Sequence, residues 1–321
     1  MKKFLPIFLI IITIAIGIFA LLIGSAKIPL MNIITLTLEE TEWKIIFNLR
    51  LPRIIMAILV GMMLSSSGAV VQTIFQNPLA DPYIIGISAS ATFGAVIASL
   101  LGLPEIMYGF FAFICCIFST LAIFKIAKKG TSVNVTTLLI VGIAVSSFLG
   151  SFTSFAFYLI GQDGTYRVTM WLMGNLSNAS WFKVRMIILP LAFSTTYFFM
   201  QRHNLDALLS GDEEAHSLGI DVQKLKIRTL VVVALVVAFS VAFTGMIGFV
   251  GLIIPHIVRS LVGASNTKLL PPVTIGGGLF LLLCDTIGRV IMNPVEIPIG
   301  IVTSFVGAPF FLYLAMKSKR M

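Results

Sequence analysis

Long uncharged, mainly apolar runs alternate with short polar segments along the whole chain. The runs cover residues 4–26, 54–80, 82–104, 106–124, 130–162, 186–201, 229–258, 269–284 and 297–316. A membrane-spanning helix needs about 20 apolar residues. The pattern therefore predicts an all-α polytopic membrane protein. No Gly/Ser-rich linker, low-complexity tract or clear repeat interrupts it, so we expect one transmembrane domain over residues 1–321.

The basic residues at the two termini indicate whether the number of spans is even or odd. Lys2 and Lys3 precede the first run, and Lys317, Lys319 and Arg320 follow the last. If both ends are cytoplasmic by the positive-inside rule, the number of spans is even. Nine runs then give ten helices only if one run holds two spans, and 14 of the 22 Lys and Arg residues fall on the cytoplasmic side.

The run 229–258 is the best candidate for two spans, because glycines and a proline interrupt it. Gly245, Gly248 and Gly251 precede Pro255. Proline is favoured at a helix start and disruptive inside a helix. We therefore expect a helix broken near Gly251–Pro255, with one span ending near Phe249 and a short one beginning near Pro255.

Composition supports the membrane assignment. The mean hydropathy of +1.05 and the charged fraction of 11% exclude a water-soluble globule, in which about a quarter of residues are charged. The net charge of +9 is spread between apolar runs, which does not suggest a nucleic-acid-binding face. Residues 4–26 exceed the 7–15 apolar residues of a signal peptide, which favours an uncleaved first span. The three cysteines lie in apolar runs and are read as small hydrophobic residues, with no metal site expected.

Few residues in the spans could carry chemistry. No Gly-x-x-x-x-Gly-Lys-Ser/Thr phosphate loop is present, so we expect no ATP hydrolysis by this chain. Mid-span ionisable groups usually mark function, and the exceptions here are Asp285 and His256. An i,i+4 pair between Asp285 and Arg289 and a functional role for Asp285 both remain open. For His256 we favour contacts with unpaired backbone groups at a helix start over proton relay or metal binding.

Several short motifs resemble one transporter family. They are Arg50-Leu51-Pro52-Arg53, Gln76–Pro82, Gly248–Arg259, Glu296–Gly300 and Gly307–Phe311. Together they resemble the permease subunits of ABC importers for iron-siderophores, haem and cobalamin. The resemblance implies ten helices and a dimer with a second copy or a close homologue. It also implies two separate ATPase subunits, which carry ATP and Mg²⁺, and an extracytoplasmic substrate-binding protein.

On this basis we expect a non-catalytic permease in the cytoplasmic membrane that binds no cofactor and no nucleic acid. Its cargo is expected to be an iron-siderophore or a related metal chelate, with cobalamin or haem as the alternatives. An ion-coupled secondary transporter is a remote alternative, since the spans hold few carboxylates, and a membrane-embedded enzyme is another.

The longest polar stretch contains the expected ATPase-coupling loop, at about 203–224. Two short helices separated at Gly211 would expose apolar residues on one side, whereas a merely solvated loop needs no such face. In the similar permeases this position docks into a groove of the ATPase. The residues assigned to coupling are Leu208, Leu209, Gly211, Asp212, Glu213, Glu214, Ala215, Leu218 and Gly219.

Two segments are candidates for the translocation path. The resemblance places Asn77 and Leu79, in the turn-rich segment 76–82, at a constriction on the inner side. By a looser alignment it places Thr136, at the start of the fifth span, facing them. Ser147, Ser151 and Ser154 share a helical face at i, i+4 and i+7. That face either lines the path or serves helix packing, which is the commoner use of serine in spans.

Three arginines are predicted at the outer ends of spans, against the positive-inside trend. They are Arg50, Arg53 and Arg289. Such side chains can extend to lipid headgroups. In the cobalamin permeases of the family, arginines at the matching places meet acidic residues of the binding protein, which implies a docking role for all three.

Overall fold

The computed structural model describes residues 4–24, 39–83, 86–129, 132–133, 135–292 and 294–318. It is almost entirely helical over these residues. The helices are α1 (Leu5–Leu22), α2 (Glu40–Lys44), α3 (Leu51–Ile74), α4 (Ile87–Leu100), α5 (Ile106–Ala127), α6 (Val135–Leu172), α7 (Trp181–Leu208), α8 (Asp212–Ser217), α9 (Val222–Thr244), α10 (Val250–Val262), α11 (Asn266–Val290) and α12 (Ile299–Ser318). A π-helical turn, Ile45–Arg50, joins α2 to α3, and two short antiparallel strands, β1 (Lys128–Lys129) and β2 (Ser132–Val133), join α5 to α6.

The helices match the predicted membrane architecture. Seven of those in the described part of the chain are long and apolar enough to cross a membrane, and the shorter apolar helices α4, α10 and α12 bring the number to the expected ten. A helix rises 1.5 Å per residue, so α4 and α10, with 14 and 13 residues, are shorter than the hydrocarbon core. Their ends therefore continue as non-helical backbone that must be covered by protein.

Small residues bring α3 and α11 together at the centre of the bundle. A Cβ atom on Gly61 would overlap the carbonyl of Gly277, and one on Gly277 would overlap Ser65. Gly68 stands equally close to the backbone of Gly251 in α10. In lipid no hydrophobic effect drives helices together, so close packing of this kind supplies the attraction. The small residues of α3, α10 and α11 therefore serve close helix packing.

The predicted break in the run 229–258 is present, but its boundaries differ from the expected ones. α9 ends at Thr244 and α10 begins at Val250, because Gly245 and Phe249 have positive φ angles of 68° and 70°. Pro255 lies inside α10 instead of starting it. Proline lacks an N–H, which leaves the Gly251 carbonyl without its helical donor.

A side chain from α3 takes the place of that missing donor. Gln72 Nε2 lies 3.4 Å from the carbonyl oxygens of both Gly251 and Leu252. His256 was expected to meet unpaired backbone groups at a helix start, but it lies within α10 and its ring packs edge-on against Phe310 at 5.9 Å. The side chain of the buried Gln72, and not that of His256, therefore supplies the hydrogen-bond donor that Pro255 lacks.

α6 continues beyond the predicted end of its span at residue 162. Gly161, with φ 76° and ψ −175°, interrupts the helix, and the chain resumes helical geometry as far as Leu172. Only glycine adopts this backbone conformation without strain. The polar residues after Gly161 belong to a second helical segment and not to a loop.

Candidate functional site

The three predicted docking arginines meet at one end of the bundle. Arg53, in the first turn of α3, binds Asp285 near the end of α11, with Nε 2.9 and 3.2 Å from the two carboxylate oxygens and Nη2 2.9 Å from Oδ1. Arg53 Nη1 also lies 2.7 Å from Glu296 Oε2. Arg289 is the second cation beside Asp285, with a longer distance of 3.8 Å from Nε to Oδ2. The expected i,i+4 pair is thus present, but Arg53 is the main partner of Asp285.

The other two arginines hold the end of α1. Arg50 Nη1 donates to the Leu21 carbonyl at 2.6 Å, and Arg289 Nη2 donates to the carbonyls of Ala20 and Ile23 at 2.6 and 3.1 Å. The last four carbonyls of a helix lack intrahelical donors. Two guanidinium groups, each on a residue 5% exposed, supply these donors.

This geometry changes the expectation for Arg50, Arg53 and Arg289. Sequence reasoning correctly placed them at one end, but treated their side chains as available to a partner. The structure instead uses them inside the chain, and only 11% of the Arg53 side chain is exposed. Docking of a binding protein stays a prediction, and the exposed Glu296 beside Arg53 is the acidic neighbour that sequence reasoning missed. Its position in the Glu296–Gly300 motif was the available signal.

The predicted coupling loop is mostly helical. Residues 203–208 belong to α7, and only α8 follows as a separate short helix, where two short helices were expected. Gly211 precedes α8 with a φ of 127°, which favours glycine. The expected apolar face is also wrong in part: Leu208 and Ala215 are fully buried, whereas Leu209 and Leu218 are 37% and 72% exposed. The buried pair attaches α8 to the bundle, and the other two leucines are exposed in the single chain.

An acidic groove lies beside α8. Its volume is about 760 Å³, and it is lined by Asp212, Glu213, His216, Gly219, Ile220, Asp221, Val222 and Gln223. Lys226 Nζ holds Asp212 at 2.6 and 2.8 Å. The hydrogen bonds that Asp221 accepts from Lys224 lower the pKa of that exposed carboxyl. Glu214, like Glu213, is exposed on α8, so this face combines carboxylates with the apolar Leu218.

Asp206 connects the coupling segment to α11. Its carboxylate accepts hydrogen bonds from the Asn266 backbone N–H, from Ser265 Oγ at 2.8 Å and from Thr267 Oγ1 at 2.7 Å. An N-cap residue normally supplies such an acceptor itself, but Ser265 makes no side-chain cap. α7 therefore caps α11 from outside. Sequence reasoning missed this residue, because a cap borrowed from another helix leaves no local pattern.

The predicted gate segment touches the end of α7. Gln76 has a φ of 48°, and its Nε2 donates to the Leu208 carbonyl at 2.9 Å. Asn77 Oδ1 accepts from the Leu79 backbone N–H at 2.9 Å, which forms an Asx turn. Leu79 is 56% exposed. The segments proposed for gating and for coupling are thus joined by a direct hydrogen bond.

The three predicted path serines lie on an open face of α6. Ser147, Ser151 and Ser154 are all exposed in the single chain, and Thr136, near the start of the same helix, is exposed as well. Ser151 Oγ donates to the Ser147 carbonyl and Ser154 Oγ to the Gly150 carbonyl, each at 3.0 Å. The hydroxyls of Ser151 and Ser154 therefore use carbonyls of their own helix.

A cavity of about 780 Å³ opens beside the gate segment. It is lined by Asp81, Tyr83, Ser88, Leu172, Met173, Met246, Gly248, Gly300, Ile301, Ser304, Phe305, Ala308 and Pro309. Burial raises the pKa of Asp81 to about 6. Tyr83 Oη contacts the Ile247 carbonyl at 3.3 Å, and Ser88 Oγ contacts Met246 Sδ at 3.0 Å. The gate segment and the break before α10 therefore share one cavity wall.

Comparison with known proteins agrees with this arrangement. The model of the FecCD transport family matches residues 10–317. The chain belongs to this family. It is 34% identical to the hemin transport system permease protein of Yersinia pestis over 313 residues, which cover 93% of this chain and 92% of that protein.

Two further relatives extend the comparison of this FecCD family member. The cobalamin import system permease protein of Halobacterium salinarum is 40% identical over 279 residues, covering 86% of this chain and 74% of that protein. A structure described as an inward-facing conformation of a metal-chelate type ABC transporter matches with a TM-score of 0.86 and 31% identity, covering 99% of this chain and 100% of the other. The resemblance read from the motifs is confirmed.

Proposed function

We propose that this chain is the membrane-spanning permease subunit of an ABC importer that moves an iron-siderophore or a related metal chelate across the cytoplasmic membrane. The observation that carries the proposal is family membership over nearly the full length of the chain. It is supported by α8, which is attached to the bundle by the buried Ala215 and is followed directly by the exposed Leu218. Haem and cobalamin are the alternative cargoes, since relatives are named for each.

The proposed machine contains two permease chains, two ATPase subunits and an extracytoplasmic binding protein. The exposed side of α8 supports ATPase docking, since helices often bind partner grooves through a few apolar anchors. The open serine face of α6 supports a path or a dimer contact between two copies. In this arrangement both termini are cytoplasmic, and ATP and Mg²⁺ are bound by the partner.

A route for force through the chain follows from the contacts at the inner end. α8 is anchored on α7 and α9 through Leu208, Ala215 and the Asp212–Lys226 pair. α7 in turn contacts the gate segment through Gln76 and caps α11 through Asp206. Movement of α8 by an ATPase would therefore reach the gate segment and α11 without an intervening flexible linker.

The test combines reconstitution with a substitution on α8. The chain is purified with its ATPase and binding protein, placed in proteoliposomes and supplied with a labelled ferric siderophore, haem or cobalamin. We expect ATP-dependent uptake of one cargo class that persists when ion gradients are collapsed. Uptake that depends on an ion gradient and not on ATP would contradict the proposal.

Leu218→Asp should abolish co-purification of the ATPase and uptake, with an unchanged unfolding temperature, because Leu218 is exposed. Leu101→Asp is the matched control, since Leu101 is 63% exposed in the turn after α4. Equal ATPase binding by the two variants would show that α8 is not the docking site.

A further inference from the structure

A second cavity, separate from the gate segment and from α8, lies between α5, α7 and α9. Its volume is about 680 Å³, within the range of small-molecule sites. It lies where α5 and α7 begin and where α9 ends, which is one end of three spans. The function proposed above uses none of its residues.

Six of the residues that line this cavity are aromatic. They are Phe110, Phe113, Trp171, Phe182, Phe239 and Phe243. Phe110 and Phe182 are also 56% and 62% exposed on the outside of the bundle. The apolar part of the cavity is therefore continuous with the surface that faces hydrocarbon chains. Aromatic residues at the ends of spans commonly mark the headgroup region of a bilayer.

The polar part of the cavity carries one charge of each sign. Lys183 is half-buried in the first turn of α7, and Glu105 is exposed just before α5. Lys183 forms no salt bridge with any residue in the described part of the chain. Asn175, Asn178 and Ser180 add neutral hydrogen-bonding groups. Glu105 lies in the same cavity but beyond ion-pair distance of Lys183, so neither charge is matched by a direct contact and an added group with both charges could bind the two together.

We propose that this cavity binds one phospholipid with an amine headgroup, such as phosphatidylethanolamine. Its phosphate would lie against the Lys183 ammonium, and its own ammonium would donate hydrogen bonds to Glu105 and the neighbouring amide groups. Its acyl chains would leave between Phe110 and Phe182 along the outside of the helices. An anionic glycerol headgroup has no cation for Glu105, and a choline headgroup has no N–H to donate.

The test measures lipid retention directly. The delipidated full-length chain in detergent is titrated with phosphatidylethanolamine, phosphatidylcholine or phosphatidylglycerol of identical acyl chains, and bound lipid is counted by native mass spectrometry. We expect one phosphatidylethanolamine molecule to bind at least fivefold more tightly than the other two. Lys183→Gln should weaken this binding about tenfold. Glu105→Gln should retain lipid but lose the preference over phosphatidylcholine.

Arg185→Gln is the matched control. Arg185 is exposed two residues further along α7, outside the cavity lining, and it contacts only the Trp181 carbonyl among the hydrogen bonds of the described chain. It should bind lipid as the wild type does. Equal losses in the Lys183 and Arg185 variants, or no preference for phosphatidylethanolamine in the wild type, would overturn the proposal. Unfolding temperatures of all variants separate lost binding from lost fold.

Discussion

The two ends of α11 are held by different kinds of interaction. At its C-terminal end, Asp285 is 1% exposed and lies between the guanidinium groups of Arg53 and Arg289. At its N-terminal end, Asp206 of α7 caps the helix through hydrogen bonds, and the described residues form no buried ion pair there. Removing one partner of a buried pair costs about 3–5 kcal/mol, whereas losing a cap costs about 0.5–2 kcal/mol.

We call the C-terminal end of α11, with its buried ion pairs, the charged end, and the N-terminal end, capped by Asp206, the capped end. We expect the charged end to resist displacement more than the capped end does. The charged end joins α1, α3 and α11 in one network, so none of the three can move without exposing or separating charges. The capped end depends on the position of α7, which leads directly to α8. We therefore expect displacements that begin at α8 to move the capped end of α11 and to leave the charged end in place.

The largest expected effect is at the charged end. Asp285→Asn leaves Arg53 and Arg289 without their shared carboxylate and should lower the free energy of unfolding by about 3–5 kcal/mol. Thermal unfolding of the purified chain in detergent measures it. Glu296→Gln is the control, because Glu296 is 44% exposed and an exposed pair contributes about 0–1 kcal/mol. Equal losses in the two variants would mean that burial does not distinguish these carboxylates.

The second prediction concerns the carboxyl of Asp81, which forms no salt bridge with any residue in the described part of the chain. Burial raises the pKa of Asp81 to about 6, so between about pH 4 and 6 the native state binds a proton that the unfolded state has lost. Stability should therefore fall as the pH rises through this window, by up to about 3 kcal/mol. Asp81→Asn should remove this fall, while its side-chain oxygen can still accept from the Tyr83 backbone N–H.

Unfolding midpoints of wild type and variant between pH 4 and 7 test this slope. Asp221→Asn serves as the control of opposite sign, because hydrogen bonds from Lys224 lower the pKa of Asp221. The stability that Asp221 contributes is present at neutral pH and is lost as the pH falls. Parallel pH profiles for wild type and Asp81→Asn would show that the Asp81 carboxyl titrates normally.

The smallest expected effect is at the capped end. Asp206→Ala should cost about 1–2 kcal/mol and speed hydrogen exchange at the Asn266 and Thr267 amides, without changing exchange near Asp285. Exchange measured by mass spectrometry on the reconstituted chain resolves the two ends. Ser265→Ala should have less effect, since Asp206 keeps its bonds to the other two residues. Faster exchange at both ends would show that α11 opens as one unit.

Hydrophobic runs were enough to predict the helical class, the number of spans and the break after α9. Short motifs were enough to identify the family. Burial within the bundle was not predictable, because it depends on which helices become neighbours. The sequence predicted that Ala215, Leu208 and Leu218 would share one exposed apolar face. Because α8 packs on α7 and α9, the first two side chains are buried instead. The buried contacts of the arginines were not predictable for the same reason, because Arg50 and Arg289 bind carbonyls 29 and 269 residues away and Arg53 binds Asp285 at a separation of 232 residues.

The attachment of α1 has a consequence for how the chain is assembled. α1 is mostly exposed along its length, and its end is held by Arg50 and by Arg289, the latter 269 residues further along the chain. α1 therefore cannot complete its contacts until α11, more than 240 residues further along the chain, has been inserted. During biogenesis the contact with Arg50 can form early, whereas full docking of α1 follows the insertion of α11.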